Sequence, residues 1–349
     1  MRFLICLCTC YLVQVLAASH CRAQVKPDYT FVVIGDDRVD AKDTAGNPAT
    51  INLQNFKRIL NDIALEKITP RYLFVNGDLV YGHTNATDTA RLAKELTEWI
   101  KVYEASPLPA RGVKLVAIPG NHETCDGEQP QQKAIAGNEA VFVRVMNNYI
   151  AGNNGPHATG LVPGTDSLTT DQSRLTYSFN YGGDHFVILN TDAVGRESRV
   201  AWHWLKQDLD TTRKKYLHTF VFGHKPPYSP VPKSEVAMEN YKANRDSMWA
   251  AIEKNNVDFY FGSHFHMWDT VHPHGNKTYE VICGNAGANT YAADKGGWIN
   301  PYYGYTIVAI YNTTVRIISK GFDIDEANYT YPFTTPTIVK AHFAIDKAP

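Results

Sequence analysis

The chain has 349 residues, 44% hydrophobic, 12% aromatic and 20% charged, with 34 Lys and Arg against 35 Asp and Glu. That composition excludes a disordered tail and a fibre, and the balanced charge lacks the basic excess that marks a nucleic-acid partner. A chain of this length buries roughly three quarters of its unfolded surface, so a substantial core is available without disulfide support.

Residues 1–23 read as a secretory signal peptide. Arg2 is followed by an apolar run from Phe3 to Ala18 and then by small and polar residues, with cleavage after Ala18 or Ala23. The run is too short for a comfortable membrane span, and no later run reaches about 18 apolar residues. The expected location is therefore secreted or periplasmic. Cleavage removes Cys6, Cys8 and Cys10, and leaves Cys125 and Cys283 either to pair or to stay as two buried thiols. Glycosylation sequons stand at Asn85, Asn276, Asn312 and Asn328.

Along the remaining chain, Tyr29 to Ile34 is a short apolar, β-branched run stopped by Gly35, as a buried strand and turn require. Phe56, Ile59, Leu60 and Ile63 then recur at helical spacing. A second such strand starts at Tyr72 and ends before Gly77, and Leu92, Leu96, Trp99 and Tyr103 mark a second amphipathic helix. Val113 to Pro119 is a third strand, stopped by Gly120. Strand, helix, strand, helix, strand predicts βαβ units around a largely parallel sheet. Residues 124–175 read as a long irregular insertion placed to cover a site, with one helical patch from Val141 to Ile150.

Further strands are expected at 176–181, 186–190, 219–222 and 259–261. The last third, at 279–282, 306–311 and 314–319, alternates like antiparallel strands. No linker-like break divides residues 24–349, so one domain is expected.

Polar residues gather just after the strand ends: Asp36, Asp78 with Tyr81, Asn121 with His122, His224, and His264 with His266. In open α/β sheets such positions line the ligand crevice. Carboxylates, an amide oxygen and imidazoles together suit borderline first-row metals such as Mn, Fe or Zn. Two metals about 3.5–4 Å apart need one bridging carboxylate and several terminal ligands, and this set supplies them.

The order Gly35-Asp36, Gly77-Asp78, Gly120-Asn121-His122-Glu123, Gly223-His224 and Gly262-Ser263-His264-Phe265-His266 resembles the calcineurin-like metallophosphoesterases. The resemblance implies a four-layer α/β/β/α sandwich and hydrolysis of phosphate esters by a metal-bound hydroxide at a two-metal centre. It implies that Asp78 bridges the metals, that Asp36 and His266 hold the first, and that Asn121, His224 and His264 hold the second. His122 would contact the phosphate and protonate the leaving oxygen.

Arg38 stands where the common pattern has a metal-binding His, and its guanidinium cannot ligate a cation. A purple acid phosphatase-like subgroup also lacks that His and uses a Tyr three residues after the bridging Asp, the spacing of Asp78 and Tyr81. Tyr81 then either completes the first metal's shell or packs beside the strand. Arg38 either reaches substrate phosphate or pairs with Asp37 or Asp40. The implied cofactors are two divalent or mixed-valence ions (Fe, Mn or Zn), and the implied partner is a small phosphate-ester substrate. A monoester is preferred over a diester or nucleotide, and a non-catalytic binding protein on the same scaffold is the reading from another class. The sequence leaves the oligomeric state open.

Overall fold

The run Tyr29–Ile34 forms strand β1 and is buried at five of its six positions, as a strand covered on both faces must be. It belongs to a computed structural model that describes residues 26–39, 52–127, 132–228, 237–288, 302–324 and 334–347. The signal segment 1–23, Asp40 and Asn328 lie outside the described residues.

In the first sheet, β1 pairs in parallel with β2 (Tyr72–Asn76), and β2 with β3 (Lys114–Ile118). On its other side β1 pairs antiparallel with β12 (Tyr302–Tyr311), followed by β13 (Thr314–Asp323) and β14 (Ile338–Asp346). The second sheet runs β10 (Trp268–Val271), β11 (Tyr279–Cys283), β9 (Phe259–Gly262), β8 (Thr219–Gly223), β5 (Asp184–Leu189) and β4 (Tyr177–Tyr181). A small hairpin joins β6 (Asp192–Ala193) to β7 (Arg196–Glu197).

The strands expected to form largely parallel βαβ units are distributed over two mixed sheets. Only the neighbouring pairs among β1–β2–β3 and β5–β8–β9–β11 are parallel. Residues 279–282, expected to alternate like an antiparallel strand, pair antiparallel with β10 and in parallel with β9. Local alternation reports which face is buried and not which neighbour a strand takes, so that expectation had no direct signal.

The two sheets meet through aromatic side chains. Phe31, Phe74, Val116 and Ile118 from one face Phe186, Phe220, Phe222 and Phe261 from the other, with the Phe74 and Phe222 rings stacked at 4.2 Å. Each such side chain contributes about 1.5–3 kcal/mol by leaving water. Outside the first sheet lie α1 (Asn52–Ala64), α2 (Thr89–Glu104), the short α3 (Pro107–Ala110), the one-turn α4 (Asn121–Thr124) and α5 (Ala136–Val145). The predicted helical stripes Phe56, Ile59, Leu60, Ile63 and Leu92, Leu96, Trp99, Tyr103 are the buried faces of α1 and α2. Outside the second sheet, α6 (Trp202–Thr212) and α7 (Lys242–Lys254) bury Leu205, Leu209, Met248, Trp249 and Ile252. The result is the expected α/β/β/α sandwich.

Cys125 and Cys283 are both buried free thiols, the latter donating to Thr306 Oγ1 at 3.3 Å. Among the described residues no helix is long and apolar enough to cross a membrane. Asn85, Asn276 and Asn312 are exposed.

At the N-terminal end of β8, His218 is fully buried, with Nε2 2.6 Å from the Asn312 carbonyl and Nδ1 3.5 Å from Asp258 Oδ1. Burial works against its charge, but Asp258, the Asn312 carbonyl and Asp184 outweigh it and hold its pKa above the ordinary histidine range. A group held up in this way favours the fold when protonated. Its contribution is complete below the ordinary value and disappears as pH rises through the raised one. The thermal midpoint should therefore fall as pH rises above the ordinary histidine value of about 6.5, and His218→Gln should flatten that slope in scanning calorimetry.

Candidate metal centre

Five apolar strands deliver polar side chains to one end of the sandwich. Asp36 follows β1, Asp78 follows β2, Asn121 and His122 open α4 after β3, His224 follows β8, and His264 and His266 follow β9. The turns are tight. Asp36, Arg38, Asp78 and His264 have φ of 58°, 41°, 55° and 66°, left-handed values that cost non-glycine residues of order 1 kcal/mol each. Glycines let the turns approach one another: a Cβ on Gly120 would lie 2.2 Å from Asp78 Oδ1, and one on Gly77 2.3 Å from the His224 ring.

The structure brings six of the predicted residues together. Ligand atoms of Asp78, His224 and His264 lie within 4.8 Å of one another, and so do those of Asp36, Asp78 and His266, which makes Asp78 common to both groups. His224 Nε2 is 3.1 Å from Asp78 Oδ1, and His266 Nε2 is 3.6 Å from Asp36 Oδ1. Asn121 Oδ1 faces His224 Nε2 at 2.9 Å and His264 Nδ1 at 3.0 Å. All six side chains are buried.

Burial, and then the charge of Asp78, push Asp36 well above the usual carboxylate range. Burial alone would raise Asp78 too, but His122, His224, Arg38 and His264 together hold it well below that range. Burial lowers His122 and His264, the latter further through His224, so both favour the neutral imidazole. Asp36 Oδ1 is buried and accepts no hydrogen bond among the described residues. Two carboxylates, three imidazoles and a carboxamide oxygen form a donor set that fits borderline first-row cations, and an unsatisfied carboxylate oxygen in the cluster fits the same purpose.

The remaining predicted residues stand at the rim. His122 Nδ1 lies 2.5 Å from the Tyr81 carbonyl, and its Nε2 lies 3.5 Å from Asp78 Oδ2. The Tyr81 phenol is 48% exposed, edge-on to the His122 ring at 6.0 Å, with the Arg38 guanidinium 5.7 Å from its ring centroid. Asp37, one of the partners considered for Arg38, is instead buried against α2, where Trp99 Nε1 donates to its carboxylate at 2.6 Å.

Four residues near the site were not singled out from the sequence. Glu123 is buried and accepts from three backbone amides: Asp78 and Gly120 on Oε2 at 2.9 and 2.8 Å, and Val80 on Oε1 at 3.1 Å. Burial and then the Asp78 charge push its carboxyl up to about 8, against those three amides. Its position three residues after Gly120 is capping spacing, a signal open to sequence reading. Asn76 donates from Nδ2 to the Gly223 and Phe261 carbonyls, and its own carbonyl contacts His224 Nδ1 at 3.0 Å, so it ties the first sheet to the second. Gln132 contacts Asn121, as described below. His83, which matches no position of the motif order, lies with its ring centroid 3.7 Å from that of His122.

The family model described as "Calcineurin-like phosphoesterase" matches residues 27–268. "Purple acid phosphatase 23" of Arabidopsis thaliana is 27% identical over 178 residues, covering 51% of this chain and 33% of that protein. "Probable inactive purple acid phosphatase 9" of the same plant is 31% identical over 130 residues, covering 36% of this chain and 18% of that protein. The chain thus matches a third or less of the length of these curated relatives. Among solved structures, a dimetal phosphatase from Danio rerio superposes with a TM-score of 0.54 at 14% identity, covering 90% of this chain and all of that one.

Proposed function

The chain belongs to the calcineurin-like phosphoesterase family, and from that premise we propose that it is a secreted or periplasmic hydrolase of phosphate esters, preferring monoesters, with residues 24–349 working as one unit. The observation that carries this reading is the convergence of Asp36, Asp78, Asn121, His224, His264 and His266, with Asp78 shared between two potential cation sites. Asp36, Asp78 and His266 would hold one cation, and Asp78, Asn121, His224 and His264 the other, drawn from Fe, Mn and Zn. When bound, two such ions supply Lewis-acid stabilisation of charge on the phosphoryl oxygens.

The protein's own groups do the rest. His122 donates from Nδ1 to the Tyr81 carbonyl, so Nε2, 3.5 Å from Asp78 Oδ2, is the atom that must first take up a proton before handing it to the leaving oxygen. Arg38, at the rim, presents a planar fork suited to phosphate oxygens. Arg38→Gly should raise KM about tenfold, the loss of one charged contact with the substrate, which steady-state kinetics checks.

Tyr81 is assigned to the first cation's shell on its spacing from Asp78. An iron-loaded protein should then show a visible phenolate charge-transfer band that Tyr81→Phe abolishes, and a band persisting in the variant would remove Tyr81 from the shell.

The principal test compares aryl phosphate with bis-aryl phosphate as substrate, with Mn or Fe added. Faster turnover of the monoester is expected, and the reverse order would make the protein a diesterase. The second reading, a non-catalytic scaffold, is favoured by Arg38 at the place of the usual first-motif His and by the printed name of one relative. Absence of turnover with any metal, together with sub-stoichiometric metal content, would establish it over the first.

A further inference from the structure

We propose that Gln132, a residue of the irregular insertion, is a positioning residue that sets the orientation of the Asn121 carboxamide and thereby the affinity of one of the two cation sites. The inference rests on the two-cation reading above.

A carboxamide has an acceptor end and a donor end of nearly equal size, and only the oxygen can face a cation. Asn121 is 2% exposed, with Oδ1 directed at His224 Nε2 and His264 Nδ1. His224 Nδ1 donates to the Asn76 backbone carbonyl, so the lone pair of its Nε2 suits the N–H end of the amide and does not hold the oxygen inward. On the other side Asn121 Nδ2 donates to Gln132 Oε1 at 2.8 Å, and it is the Gln132 carboxamide in this orientation that opposes a flip. A flipped carboxamide would turn its oxygen towards the Gln132 oxygen and its N–H groups towards the cation site.

Gln132 is placed by backbone structure. Cys125 and Ala134 form an antiparallel bridge, and Asp126 N donates to the Lys133 carbonyl at 3.0 Å. Lys133 N donates back to Asp126 Oδ1 at 3.0 Å, and Ile135 N to the Thr124 carbonyl at 2.9 Å. Ala134 N is anchored to Glu197 Oε1 at 2.9 Å, on the hairpin of β6 and β7. The insertion therefore reaches the ligand set as a braced arm ending in one acceptor. Asn121 Oδ1 lies against His224 and His264, proposed ligands of one cation, so the effect is expected at that site.

The test is titration of the metal-free protein with Mn(II) alone, following free Mn(II) by electron paramagnetic resonance, with Gln132→Leu and Gln132→Glu beside the parent. The parent should bind two ions in resolved steps. Gln132→Leu should weaken one step about 10- to 100-fold and leave the other unchanged. Gln132→Glu keeps the acceptor and should stay within about threefold of the parent or bind more tightly. Thermal melting of Gln132→Leu at the parent midpoint supports an intact loop. Superimposable isotherms, equal weakening of both steps, or a Gln132→Glu as weak as Gln132→Leu would each overturn the inference alone. A parent that takes up no second Mn(II) would overturn the two-cation reading, and this inference with it.

Discussion

Asp78→Asn is expected to lower kcat/KM for an aryl phosphate by about three orders of magnitude, about 4 kcal/mol of transition-state stabilisation. The magnitude follows from the shared position of Asp78, whose carboxylate belongs to both potential cation sites and lies 3.1 Å from His224 and 3.5 Å from His122. The amide keeps the shape, and its oxygen can still accept from His122 N, so the fold should persist. What it loses is the negative charge that four basic side chains favour. Metal content of the purified variant should fall below that of the parent in parallel with activity. A variant that keeps two equivalents of metal and more than about a tenth of the activity would remove Asp78 from the bridging role.

Glu123→Ala should cost about 3–5 kcal/mol of stability, read as a lower urea midpoint at an unchanged slope. Three buried amides, of Asp78, Val80 and Gly120, donate to this one carboxylate, and alanine leaves all three without an acceptor. The cost of unmade hydrogen bonds to buried donors exceeds the modest net gain of a made one. The same bonds tie the turn after β2 to the turn after β3, so Asp78 and Asn121 should lose their relative placement. Activity should therefore fall by more than the folded fraction does. Glu123→Gln retains an acceptor oxygen and should lie between alanine and the parent in both measurements.

Much of the site was legible because the signal is local. An apolar run stopped by glycine and then Asp, Asn or His states both that a strand ends and that a ligand-bearing residue stands at its end. The first two helices were legible for the same reason, since Phe56 to Ile63 and Leu92 to Tyr103 hold helical spacing over a full buried face.

The rest depended on partners distant in sequence. β14 packs only Phe343 and Ile345 partly against the core and leaves Ile338 and Val339 exposed, so its alternation is short and weak. The buried face of α7 mixes Asn244 with Met248 and Trp249, which blurs the helical stripe. Asn76 looks like any polar residue at a strand end until the second sheet supplies Gly223 and Phe261 as acceptors. Gln132 and His83 gain roles only when the chain folds back on Asn121 and His122. The pairing of β1 with β12 spans some 270 residues, and nothing near either strand announces it.

That pairing also governs when the molecule is finished during synthesis. All the proposed ligands have been translated once the ribosome passes His266, yet β1 still lacks its neighbour on one side until residues 302–311 emerge. Until then the strand that precedes Asp36 presents an open edge of unpaired amides and carbonyls, the state most prone to mispairing with another nascent chain. The reaction chemistry is encoded early and its scaffold is closed late, so a chain truncated before β12 would carry every ligand and still fail as a catalyst.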